Sequence, residues 1–131
     1  MPTVFVGHYG HPLLAGAKHW SFLLPVENQL KQYMAYQVTG STDTYRVKDL
    51  EVVVLEDSQS FMGMIEVGHI EESQWQEFEI VVSSVPATRG NKAWNCQNWI
   101  IEVLAAAKAK GMSVEAHSLM ELQVLLASAS N

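Results

Sequence analysis

The sequence predicts an α+β fold: an antiparallel, mostly meander sheet followed by about three helices. Three observations lead there. Five β-rich runs fill the first half of the chain with no helical period between them, which favours antiparallel neighbours over parallel crossovers. Beyond them the apolar period changes from two to near 3.6. The chain has 131 residues, 48% of them hydrophobic and 17% charged. That suits a single domain, residues 1–131, burying a core without disulfides or a structural metal.

The strands come first. Thr3–Val6 is a short β-rich run that stops at Gly7, and His8-Tyr9-Gly10-His11-Pro12 reads as a loop. His19–Leu24 is a strand stopped by Pro25. Period two puts His19, Ser21 and Leu23 on one face and Trp20, Phe22 and Leu24 on the other. A polar connection over Glu27–Gln32 leads to a strand over Met34–Thr39, ended by Gly40-Ser41. A hairpin centred near Asn28 brings Gln37 or Val38 opposite His19. Leu50–Leu55 and Phe61–Gly68 are the last two strands, joined by a turn at Asp57–Ser60.

The helices follow. Ser73-x-x-Gln76 is a capping-box pattern, with Trp75, Phe78, Val82 and Val85 at helical spacing and Pro86 as the stop. Ala87–Lys92 is a polar loop. The second helix runs from Asn95 to about Lys110, with Lys108 and Lys110 suited to its negative end and Gly111 beyond it. Trp99, Ile100, Val103, Leu104, Ala106 and Ala107 make it largely buried. The third helix starts near Ser118-x-x-Glu121, carries Leu119, Leu122, Leu125 and Leu126, and its tail over Ala127–Asn131 frays.

Charge and cysteine content exclude several functions. Fourteen acidic residues stand against eight basic ones, and no Lys/Arg cluster exists to meet phosphates, so no nucleic-acid partner is expected. One cysteine makes no internal disulfide, so nothing indicates an oxidising compartment. Met1–His8 has no basic region leading into a long apolar run, and no apolar segment is long enough to span a bilayer. A cytoplasmic location is the expectation. The sequence sets no oligomeric state.

The chemistry centres on Ala93–Ile100. Asn95 can cap the helix start, accepting a free backbone N–H of the first turn. Cys96 then lies where unpaired N–H groups and the helix dipole favour an anion, a placement that lowers a thiol pKa and yields the nucleophilic thiolate. The plain alternative is a buried cysteine acting as a small apolar residue. Thiol catalysis also needs a histidine to take the proton and a third group to orient the imidazole. His19 opens an early strand, and Gln37 can hydrogen-bond it. His8 and His11 lie three apart in a loop with no cysteine or carboxylate beside them, so no metal site is expected and they are candidates for a pocket mouth.

His19-Trp20-Ser21-Phe22-Leu23 resembles the H-W-[AS]-[IL]-Y strand of the lecithin:retinol acyltransferase-like proteins. Asn95-Cys96-Gln97-Asn98-Trp99-Ile100 resembles their N-C-E-H-F-V helix start. Those proteins form a circularly permuted branch of the NlpC/P60, papain-like thiol hydrolases and acyltransferases, in which histidine precedes cysteine. The resemblance implies Cys96 as nucleophile and His19 as general base, with Asn95 and Gln97 flanking the nucleophile. Many members carry a second histidine where this chain has Gln37, which can hydrogen-bond imidazole but supplies no charge. The implied function is a small thiol hydrolase or acyltransferase acting on an amide or ester through a Cys96 thioester. No cofactor is implied. The substrate is a small or acyl molecule, partly apolar, met by Trp20, Asn95, Gln97, His8 and His11. Two other readings stay open: a catalytically silent ligand-binding module of the same fold, or a non-hydrolytic cyclase or isomerase using the same cleft.

Overall fold

The computed structural model describes residues 3–10, 19–26, 31–40, 42–57 and 60–129. Among the described residues eight strands and three helices appear in the order β1 (Thr3–Tyr9), β2 (His19–Pro25), β3 (Gln32–Tyr36), β4 (Val38–Thr39), β5 (Arg46–Val47), β6 (Glu51–Val54), β7 (Phe61–His69), α1 (Trp75–Ser84), α2 (Cys96–Ala109), β8 (Ser113–Val114) and α3 (Leu119–Ser128). This is the expected α+β class. Six strands form one antiparallel sheet in the order β6-β3-β2-β1-β7-β8, and β4 and β5 pair separately. The meander holds from β1 through β3 to β6. β7 then crosses back to the far side of β1.

Each face of the sheet buries its own cluster. Val4, Val6, Trp20, Phe22, Leu24 and Tyr36 point toward the helices and meet Phe78, Val81, Trp99, Ile100, Val103 and Leu104. Phe22 stands edge-on to Phe78 and Trp99, with ring centroids 5.7 and 5.9 Å away. The Trp99 indole N–H donates to the Val85 carbonyl at 3.0 Å, so its one polar group is satisfied inside the core. The opposite face carries a smaller cluster built on Leu23, Ala35 and Leu55, flanked by Phe5, Tyr9, Tyr33, Val53, Phe61 and Met64. His19 belongs to this second face, because β2 alternates and Trp20 points to the helices.

Four local expectations give way. β1 does not stop at Gly7 but continues to Tyr9. Gly7 is there for space: a Cβ would lie 2.6 Å from the Leu23 side chain. The run Met34–Thr39 is not one strand, since Val38 and Thr39 leave the sheet to pair with β5 and Gln37 sits at the break. The Ser73 capping box does not form. A single 3₁₀ turn over Glu72–Gln74 precedes α1, and Gln74 spends its side chain on the Glu71 N–H. Ala127 and Ser128 are helical rather than frayed. The expected hairpin centre near Asn28 lies outside the described residues. Among those described, no helix is long and apolar enough to cross a membrane.

Candidate active site

α2 begins as its sequence asks. Asn95 has an extended backbone and its side-chain oxygen accepts the Gln97 N–H at 2.9 Å. The Asn98 side chain returns the bond by accepting the Asn95 N–H at 2.9 Å, a reciprocal box with asparagine in the usual glutamate place. Cys96 is therefore the first helical residue, half-buried. Burial pushes its thiol up from the ordinary value, against the pull of backbone N–H groups from Trp20, Cys96 and Gln97. The expected lowering is thus reversed: the N–H groups are present, and desolvation exceeds them. The Trp20 N–H belongs to the peptide joining His19 to Trp20.

His19 is held from behind. Its Nε2 lies 2.5 Å from Gln37 Oε1. Gln37 Nε2 donates to Glu51 Oε1 at 2.8 Å, and Lys48 Nζ donates to the same oxygen at 2.8 Å. Gln37 is not paired opposite His19 in the ladder. The β2–β3 ladder ends at Phe22↔Tyr36, and Gln37 reaches the imidazole from the break beyond it. The Tyr9 ring tilts over His19 with centroids 5.7 Å apart, and the Ser21 hydroxyl donates to the Tyr9 oxygen at 3.3 Å. Burial raises the Tyr9 pKa, the Ser21 bond opposes the rise, and the Glu51 charge adds to it. His19, Gln37 and Glu51, with Tyr9, Val53 and Leu55, line a cavity of about 400 Å³.

The other candidates are dispersed. Trp20 is 1% exposed and packs in the helix-side core behind the cysteine. Gln97 is also buried, and its Oε1 accepts from Gln123 Nε2 at 3.0 Å, tying α2 to α3. Asn95 is committed to its cap. His8 is a buried strand residue facing Trp20 across the ladder, not a loop residue at a pocket mouth. His11 lies outside the described residues. Among the described residues no group of three or more His, Cys, Asp or Glu is placed to hold a metal.

Three residues of this neighbourhood went unread in the sequence. Tyr9 was lost with the end of β1. Glu51 shares a strand face with Val53, a signal available from period two once the register is known. Tyr45 stands edge-on to Trp94 at 5.3 Å, and its phenol is raised by burial and by the nearby Cys96 charge. Nothing in a loop sequence foretells that contact.

No curated protein and no solved structure matches the chain. A family of unknown function, DUF6540, matches residues 13–113, a span that takes in β2, the β3–β6 region and the whole of α2. That span is well over half of the 131 residues and contains His19, Gln37 and Cys96, so the chain belongs to the DUF6540 family of unknown function.

Proposed function

We propose that the protein is a small thiol hydrolase or acyltransferase of the permuted papain-like kind, acting on an amide or ester through Cys96. The observation that supports this reading is the pairing of His19 Nε2 with Gln37, together with Cys96 at the capped first turn of α2. With Nε2 engaged by a carbonyl oxygen, Nδ1 is the nitrogen left to take a proton.

Burial favours the neutral thiol, so no resting ion pair is needed. His19 Nδ1 removes the thiol proton as the sulfur attacks the carbonyl carbon. The C–S bond forms, and the carbonyl π pair moves onto oxygen. The Cys96 N–H and a neighbouring N–H stabilise that oxyanion. As it collapses, the C–O or C–N bond to the leaving group breaks, and His19 returns its proton to the departing alcohol or amine. Water or a second nucleophile then opens the thioester with His19 as base. The cavity beside His19, against Tyr9, Val53 and Leu55, lies on the sheet face away from α2 and is not lined by Cys96, so the attacked carbonyl is placed at the rim between the two and not inside it.

The test is intact-protein mass spectrometry after incubation with p-nitrophenyl esters of graded acyl length. An acyl adduct on Cys96 is expected, absent in Cys96→Ser. His19→Ala should slow acylation by about 10²–10⁴-fold. Gln37→Ala should do less, since glutamine only orients the ring. No adduct with any ester, or undiminished turnover by Cys96→Ser, overturns covalent catalysis.

A second reading has one observation in its favour. A thiol held neutral by burial also suits a ligand-binding module that keeps the fold without the chemistry. That reading expects ester analogues to bind Cys96→Ser and wild type alike, with no covalent product from either.

A further inference from the structure

Glu51 opens a four-residue edge strand, where a carboxylate would ordinarily be solvated. Its side chain is 39% exposed, yet Oε1 receives two donors at 2.8 Å, the Gln37 amide and the Lys48 ammonium. The Gln37 side chain is consequently gripped at both ends. An amide has one donor end and one acceptor end. A carboxylate accepts only, so the NH₂ of Gln37 must face Glu51. Its carbonyl oxygen must then face His19, and the only productive contact with that oxygen is an N–H on Nε2. Reversing the amide would set the Gln37 oxygen against the Glu51 oxygen.

We propose that Glu51, steadied by Lys48, is a positioning residue that fixes the Gln37 amide and thereby holds neutral His19 as the Nε2–H tautomer with Nδ1 bare. Glu51 touches neither substrate nor thiol in this role. It converts a fixed surface charge into a proton position two hydrogen bonds away. The role rests on the proposed function only in giving the bare Nδ1 a use. Lys48 is secondary: without it the carboxylate still accepts from Gln37.

The test reads the tautomer directly, by long-range ¹H–¹⁵N correlation of the His19 ring above its titration range, with no substrate present. Wild type should show the Nε2–H pattern. Glu51→Ala should lower the Nε2–H to Nδ1–H ratio by about three- to tenfold, the loss of one charge-assisted hydrogen bond at a partly exposed site. Lys48→Ala should leave the ratio nearly unchanged. Glu51→Val, suited to an edge strand, answers the same question should Glu51→Ala melt early. An Nδ1–H wild type, or a ratio indifferent to residue 51, overturns the proposal. The expected tautomers in a protein that never acylates Cys96 would leave the Glu51 role standing and remove the proposed function instead.

Discussion

At Cys96 two electrostatic effects oppose each other within one side chain. Three backbone N–H groups stabilise the thiolate, while burial withdraws water from it, and burial is the larger. Alkylation by iodoacetamide should therefore rise with pH around a midpoint above the ordinary thiol value; a midpoint below it would mean the N–H groups prevail. The folded pKa is raised, so the contribution of the neutral thiol is present below the unfolded value and is lost as pH climbs through the folded one. Denaturant melts should show wild type losing ground to Cys96→Ala in that alkaline window alone. Of the candidate residues, Cys96 and His19 were legible from a capped helix start and a strand start, whereas Gln37 meets His19 from a strand break and not from the facing strand that its sequence suggests. Tyr9, Tyr45 and Glu51 were not legible, because their roles come from neighbours remote in sequence.

Two S-x-x-E/Q patterns look alike in the sequence, and only one becomes a cap. At α3 the Ser118 hydroxyl accepts the Glu121 N–H and the Glu121 carboxylate accepts the Ser118 N–H. That bonding holds the Glu121 carboxyl below the usual carboxylate range. At α1 the box is absent and a 3₁₀ turn takes its place. Ser118→Ala should cost about 1 kcal/mol in a denaturant melt, whereas Ser73→Ala should stay within about 0.5 kcal/mol. Equal losses would contradict the difference between the two helix starts. α2 shows the opposite case. Asn95 was readable as a cap, but its partner Asn98 is not a residue the usual pattern names. Helix ends are thus local enough to be proposed from sequence, yet the choice between α and 3₁₀ at a given serine depends on which side chain reaches which N–H first.

Across the whole molecule, α2 is the shared wall of the core. Trp99, Ile100, Val103 and Leu104 are all fully buried against the sheet or its helices. Trp99→Ala should cost about 3–5 kcal/mol and Leu104→Ala about 2–5 kcal/mol; unchanged melts for both would mean the helix does not carry the core. The apolar periodicity of α2 made this burial legible. The path of β7 was not, because a strand that pairs with β1 instead of its predecessor leaves no mark in its own residues. Its far end explains Gly68. A Cβ there would stand 2.2 Å from the Ser113 carbonyl oxygen, so only glycine lets β8 close on β7. Gly68→Ala should detach that closure and lower the melting temperature by several degrees.

Among the described residues β6 is hydrogen-bonded along one side only, to β3, and β3 itself ends at the residue before Gln37. Short outer strands are the segments that open most readily without global unfolding. Amide protons of Glu51–Val54 should thus exchange with deuterium through local opening, well before those of Ile100–Leu104 in the middle of α2. The thiol and the support behind the imidazole would then belong to different cooperative units. A brief opening of the sheet's rim would release the imidazole's tether while the cysteine stays where the helix holds it.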